Sequence, residues 1–265
     1  LGLMVQSLRL RATQPALFGR SVAHGGGRLG GIAISNSFEA MAANLTRFDV
    51  FEIDFSWTAD GALVCLHDWQ DSFTSRFGAA TESPLDLGQF RQLLAASPDQ
   101  PRNCDLDGLA GWMRANPDIL IVTDVKSDPA AAHEIIATRH PDILAQFVPQ
   151  AYQPEEIALY RELGFQQVIW TLYRFGSDPD RVIEAALAYR PDALTMPLAV
   201  AEDGLLGAVT RATGMPVYVH TINDRATAAC LLRQGATGIY SDDLGTEDLD
   251  QLMDLSAPCQ QDPSQ

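Results

Sequence analysis

The chain has 265 residues, of which 18 are Lys or Arg and 34 are Asp or Glu, a formal charge of −16. A field of that sign repels polyanions, so the composition argues against nucleic acid and anionic membrane surfaces as partners. Hydrophobic residues make up 46% of the chain, enough for a large core. No uninterrupted apolar run approaches the ~18 residues of a spanning helix, so no stable membrane insertion is expected and the chain reads as soluble.

Short apolar or β-branched runs at 21–24, 50–55, 120–125, 147–150, 168–172, 193–196, 217–221 and 239–241 read as strands. Amphipathic stretches at 37–46, 130–139, 154–163, 179–189, 203–212 and 224–233 read as the helices between them. Asp128-Pro129, Gln153-Pro154 and Asp178-Pro179 supply helix entry signals, because proline fixes the first-turn φ where its missing N–H costs nothing. Strands alternating with helices imply a parallel sheet. Eight such units in a length close to the ~250 residues of a one-domain barrel favour a (β/α)₈ TIM barrel over a doubly wound open sheet.

Two features interrupt the alternation. After the second strand, the turn Thr58 to Gly61 reverses the chain into Ala62–Cys65 and on to His67 and Asp68, an extra hairpin. Residues 69–112 then form a polar insertion, with a helix expected near 87–96. The organisation expected is an N-terminal extension over 1–17, a single barrel domain over 18–256 carrying that insertion, and a disordered tail over 257–265. Cys65, Cys104, Cys230 and Cys259 have no metal-like spacing and read as free thiols, since a chain this large needs no disulfide framework. The chain begins at Leu1, so a cleaved signal or anchor ahead of it stays open, as does the choice between cytoplasmic and periplasmic or secreted.

Glu52 and Asp54 lie two apart in one strand and so project from the same face, which Val50 shares, while Phe51, Ile53 and Phe55 take the other. Two acids on a buried face are costly unless a cation or donors compensate them. The ends of the other strands carry polar groups at the same register: His24, Asp124 with Lys126, Gln150, Tyr173 with Arg174, His220 with Thr221, and Asp242 with Asp243. Barrel chemistry gathers at those ends. Glu52, Asp54 and Asp124 offer only hard oxygen donors, which suit Mg²⁺ or Ca²⁺ rather than zinc; the alternative is neutralisation by Lys126. His24 and His67 flank that group as an acid/base pair. Gly25, which opens a three-glycine run, lets the backbone approach an anion. Gln150, Tyr173 and His220 are pocket-lining candidates, Asn36 reads as a helix cap that also has the reach to touch the site, and His133 and His140 read as surface residues.

Taken in order, these residues resemble the glycerophosphodiester phosphodiesterase family. The match comprises His24-Gly25-Gly26, Asn36-Ser37, Glu52-Ile53-Asp54, Thr58-Ala59-Asp60-Gly61, His67-Asp68, Asp124-Val125-Lys126, Thr221-Ile222-Asn223 and Ser241-Asp242. The resemblance implies a (β/α)₈ barrel, one divalent cation held by Glu52, Asp54 and Asp124, His24 and His67 as general acid and base, and Lys126 on phosphate oxygens. The implied substrate is a small glycerophosphodiester, cut to glycerol 3-phosphate and an alcohol by way of a cyclic phosphate formed by the substrate's own hydroxyl. Gly25 departs from the family pattern, in which an arginine helps bind phosphate; Arg28 and Arg174 are the candidates to replace it. Asp124 stands for a glutamate, and Ser35 for the glutamate before Asn36. Two alternatives stay open: a phospholipase-like or sphingomyelinase-D-like enzyme acting on a lipid or polymer, and a non-catalytic barrel that binds a phosphorylated ligand.

Overall fold

The computed structural model describes residue 19 and residues 21–253; the expected extension over 1–17 and tail over 257–265 lie outside the described residues. Eight parallel strands close into a barrel: β1 (Ser21–Ala23), β2 (Val50–Trp57), β4 (Leu120–Val125), β5 (Phe147–Ala151), β6 (Ile169–Thr171), β7 (Ala193–Pro197), β8 (Val217–His220) and β9 (Gly238–Ser241). Closure is made by β1, which pairs with β9 on one side and with β2 on the other. The extra strand β3 (Leu63–Cys65) runs antiparallel to β2, with Phe55 opposite Cys65. This is a TIM barrel with one added hairpin strand.

The strand ends lie within two residues of those read from the sequence. The helices follow their entry signals. Asp178 accepts from Arg181 N to start α7 (Pro179–Tyr189), and Asp128 caps α5 (Pro129–Arg139) in the same way. A capping box of Asp86 and Gln89 starts α3 (Leu87–Ala96), the helix expected within the insertion. The remaining helices are α1 (Phe38–Asn44), α2 (Asp71–Phe77), α4 (Leu106–Ala115), α6 (Pro154–Glu162), α8 (Leu198–Glu202), α9 (Leu205–Thr213), α10 (Arg225–Arg233) and α11 (Thr246–Met253). Neither α2 nor α4 stands out in the sequence. The first is seven residues rich in Ser, Thr and Phe, and the second carries two glycines, all poor helix formers that tertiary packing overrides.

The barrel interior is decided by the period of two. Val22, Val50, Val122, Val148, Ile169, Ala193, Tyr218 and Tyr240, one from each barrel strand, form a buried apolar layer. That layer plugs the barrel, as expected of the fold. Phe51, Ile53 and Phe55 face outward into the main core against the helices, the parity expected for the second strand. A smaller core of Val64, Leu66, Trp69, Phe73 and Phe90 holds α2 and α3 to the hairpin.

Three sequence expectations are corrected here. Cys65 and Cys104 are joined by a disulfide, and Cys230 is disulfide-bonded as well, so these are not free thiols; Cys259 lies outside the described residues. Their pairing is invisible in sequence because 39 positions separate them, whereas in the fold Cys65 N donates to Cys104 O at 2.7 Å. His133 is fully buried rather than on the surface, bonded to Thr123 Oγ1 at 2.7 Å and to Pro129 O. His140 is also buried, against Asp107. Among the described residues no helix is long and apolar enough to cross a membrane.

Candidate active site

Two residues beyond each member of the apolar layer, the same strand face carries a polar side chain. The set is His24, Glu52, Asp124, Gln150, Thr171, Thr195, His220 and Asp242. Alternation alone therefore brings eight polar groups to the C-terminal mouth of the barrel. Six of them line one cavity of about 280 Å³, together with Asp54, His67, Lys126 and Tyr173. The other two hold histidines: Thr195 Oγ1 is bonded to His220 Nδ1 at 2.8 Å, and Asp242 to His24.

Ligand oxygens of Glu52, Asp54 and Asp124 lie within 4.8 Å of one another. Glu52 and Asp54 are buried, and Asp124 is partly so. Asp54 is the best compensated: Asn36 Nδ2 donates to its Oδ2 at 3.0 Å, and Lys126 Nζ donates to its Oδ1 at 2.7 Å. Burial opposes its charge, but Lys126, His67 and Asn36 prevail and hold its pKa below the usual carboxylate value. Lys126 also reaches Asp124 Oδ2 at 3.1 Å, and Tyr152 donates to Asp124 Oδ1. Glu52 accepts only Gly25 N, at 2.8 Å, and its Oε1 is buried without a partner. Burial, then the charge of Asp54, raises the Glu52 pKa to about 8.

That imbalance tests the two readings of the trio. Lys126 is bonded to only two of the three carboxylates, Asp54 and Asp124, and leaves Glu52 without a cationic hydrogen-bond partner. The orphaned oxygen of Glu52 and an all-oxygen donor set fit a hard cation. The three residues form an acidic group able to hold a metal ion.

Each of the two flanking imidazoles is oriented by a carboxylate through Nδ1. His24 Nδ1 donates to Asp242 Oδ1 at 2.9 Å; Asp242 is in turn fixed by Asn223 Nδ2 at 2.6 Å. Burial disfavours the His24 charge, but the Asp242 bond and the fields of Glu52 and Asp54 outweigh it and raise the pKa to about 9. His67 Nδ1 donates to Asp68 Oδ2 at 2.6 Å, and Asp68 also accepts from Ser72 Oγ and from the first amides of the α2 turn. With Nδ1 engaged in both rings, Nε2 is the atom left for proton exchange. A third imidazole, His220, is pushed down to about 4 by burial and the His24 charge, so at neutral pH it is uncharged.

Of the residues singled out from sequence, His24, Glu52, Asp54, His67, Asp124, Lys126, Gln150, Tyr173 and His220 line this cavity. Gln150 accepts from Tyr240 OH at 3.2 Å; Tyr173, 66% exposed, lies with its ring 6.3 Å from that of His220. Gly25 reaches the site through its amide on Glu52 rather than by lining the cavity. Its φ is +54°, and a Cβ there would sit 2.4 Å from Ile34 Cα, so no side chain fits without moving the backbone. Neither candidate arginine fills the gap. Arg28 is bidentate on Asp243, at 2.6 and 2.9 Å, and Arg174 stacks 4.3 Å over Tyr152 and donates to Lys126 O. Lys126 is the one lysine or arginine lining the cavity among the described residues.

Sequence reasoning did not assign Tyr152, Thr195 or Asn223 to the site, and saw Asn36 first as a cap. Ser37 is the cap, accepting from Ala40 N, while Asn36 turns its side chain to Asp54. The positive φ of Asn36, 49°, permits that turn.

No family model matches the chain, and no curated protein matches it by sequence. Solved structures do. A glycerophosphodiester phosphodiesterase from Thermotoga maritima superimposes with a TM-score of 0.66 at 18% identity, covering 88% of this chain and 98% of that one. One from Parabacteroides distasonis gives 0.65 at 15% identity, over 89% and 98%. An Oleispira antarctica phosphodiesterase, solved in complex with the product sn-glycerol-3-phosphate, gives 0.65 at 16% identity, over 91% and 100%. These solved structures, which resemble this chain over most of its length, are phosphodiesterases, and at these identities the likeness shows a shared fold.

Proposed function

We propose that this protein is a metal-dependent phosphodiesterase that cleaves a small glycerophosphodiester to glycerol 3-phosphate and an alcohol. The observation that carries the reading is the convergence, in one cavity, of a carboxylate trio with two imidazoles that each bear an Nδ1-bound aspartate. Binding alone needs no such pair, which supports catalysis over the non-catalytic barrel.

Glu52, Asp54 and Asp124 would hold one divalent cation, Mg²⁺ or Ca²⁺; bound there it supplies Lewis-acid polarisation of the P–O bonds and offsets the carboxylate charge that otherwise repels the substrate. Lys126 remains beside the trio to meet a phosphate oxygen. The attacking oxygen, from the substrate's own hydroxyl or from water, forms the new bond to phosphorus and gives its proton to one imidazole Nε2. The bond from phosphorus to the leaving oxygen breaks, and that oxygen takes a proton from the other imidazole. Attack by the hydroxyl leaves a cyclic phosphate, which water opens to glycerol 3-phosphate by the same exchange of protons. His24 and His67 divide these roles, each held in one tautomer by its aspartate. The neutral His220, Gln150 and Tyr173 complete the wall that receives the substrate.

A second reading, a lipid ester, is favoured by the exposure of Ile34 and Tyr173 at the mouth. The test is release of glycerol 3-phosphate from a panel of glycerophosphodiesters in EDTA and after addition of Mg²⁺ or Ca²⁺. Metal-restored release is expected. Folded protein that binds the ion and releases nothing would sink the proposal.

A further inference from the structure

We infer that the alcohol on the second ester of the substrate is a neutral polyol or sugar, seated in a cleft that continues the cavity past His67. The inference rests on the phosphodiesterase reading above and names the substrate class of the same site. A second cleft, of about 500 Å³, shares His67 and Ile34 with the catalytic cavity, so a group leaving on the His67 side enters it directly. Its size falls within the range of about 300–1,000 Å³ usual for small-ligand sites.

The two walls differ in chemistry. One is aliphatic: Ile32 and Ile34 are 41% and 39% exposed, unusual for large hydrophobic side chains in this protein. The other is polar, with Asp71, Ser75 and Arg76 on α2 and Gln100 beyond the end of α3. Arg76 is fixed in that wall by donation from Nη2 to Pro101 O at 2.5 Å.

Three classes of alcohol fit this cleft poorly. An anionic group would meet the carboxylates of Asp68 and Asp71 against a single guanidinium. An acyl chain would strip water from the polar wall without replacing its hydrogen bonds. A quaternary ammonium wants aromatic faces, and among the described residues no Trp, Tyr or Phe lines the cleft. A polyol satisfies both walls: its C–H face lies on Ile32 and Ile34, and its hydroxyls both donate and accept toward carboxylate, hydroxyl, guanidinium and amide. The departing polyol oxygen leaves on the His67 side, where His67 Nε2 is the imidazole atom next to the cleft for proton exchange.

The experiment compares kcat/KM for glycerophosphoinositol and glycerophosphoethanolamine, with Mg²⁺ or Ca²⁺, in wild-type protein and in the double variant Ser75→Ala, Gln100→Ala. Both side chains are exposed, so the variant keeps the fold. Wild type should prefer the inositol ester by at least about tenfold, as a site built on hydroxyl recognition does, and the variant should lose most of that ratio. Preference for the ethanolamine ester, for glycerophosphocholine or for lysophosphatidylcholine, or a ratio that the variant retains, overturns the polyol assignment while leaving a working phosphodiesterase. Absence of turnover on every ester, in folded protein that binds the ion, overturns the underlying reading and this inference with it.

Discussion

The two histidine–aspartate pairs are the same chemical device built in two ways. His24 and Asp242 lie 218 positions apart and meet because β1 pairs with β9, with Ala23 opposite Ser241. Barrel closure itself brings them together, and their side chains are 21% and 8% exposed. His67 and Asp68 are neighbours in sequence, carried on the loop between β3 and α2 outside the barrel wall, and are 37% and 27% exposed. A pair fixed by closure cannot move without opening the sheet, whereas a pair on an arm is only as rigid as what ties the arm down. The contrast places preorganisation on the His24 side and adaptability on the His67 side.

The largest effects should separate the two. His24→Ala should lower metal-dependent kcat by the upper end of the acid/base range, about 10³–10⁴-fold, and His67→Ala by about 10²-fold. Asp242→Asn and Asp68→Asn should follow in the same order, since each frees its ring. Equal losses, measured on one substrate under saturating metal, would break the comparison.

The tie on the arm is covalent. Cys65 lies at the end of β3, two residues before His67, and its bond to Cys104 closes a loop of 39 positions. Asn103 reinforces it by donating to both Ser35 O and Cys65 O. The double variant Cys65→Ser, Cys104→Ser should lose ~3–4 kcal/mol of stability in denaturant melts, the scale for a loop of this length. Amide exchange should quicken over 63–77 and stay slow in β1 and β9. Uniform quickening would mean that arm and barrel unfold as one unit.

Between the two pairs sits Glu52, and here the sign with pH is informative. Its folded pKa is raised, so the metal-free folded state holds a proton that the unfolded chain has already lost. Stability from this group is therefore full below about pH 4.5 and is lost as pH rises through about 8. In EDTA, Glu52→Gln should raise the melting temperature at pH 7 and flatten its pH dependence, while removing the stabilisation that Mg²⁺ or Ca²⁺ gives the wild type. A variant that still gains stability from the ion would take Glu52 out of the ligand set.

Which of these features were legible in sequence follows from the range of the interactions. The barrel and the polar mouth were legible because period-two alternation is local: Val50 and Glu52, Val122 and Asp124, and Tyr218 and His220 are each two apart. Asn36 was half legible, because the residue type that caps helices is also the type that tolerates positive φ and can bond a carboxylate. Tyr152 left no signal, since it follows β5 and reaches Asp124 from a neighbouring strand's loop. The Cys65–Cys104 bond and the burial of His133 depend on contacts between segments that no spacing rule links. Gly25 was seen as a missing arginine; the structure supplies the reason, with Ile34 packed where the side chain would begin.

The finest test compares what steadies each aspartate. Asn223 gives Asp242 two bonds, Nδ2 to Oδ2 at 2.6 Å and Oδ1 from the backbone amide at 2.8 Å, and also accepts from Ser241 Oγ at 3.0 Å. On the arm, Ser72 Oγ gives Asp68 a single side-chain bond of 2.7 Å, while Asp68 Oδ1 keeps the amides of Gln70 and Ser72. Ser72→Ala therefore removes one hydrogen bond of three and should cost about 1 kcal/mol at most, a few-fold in kcat. Asn223→Ala strips every bond that side chain makes and should cost several times more. If the serine variant matched the asparagine variant, the α2 amides would not be what holds Asp68, and the arm would owe its order to side chains, as the barrel pair does.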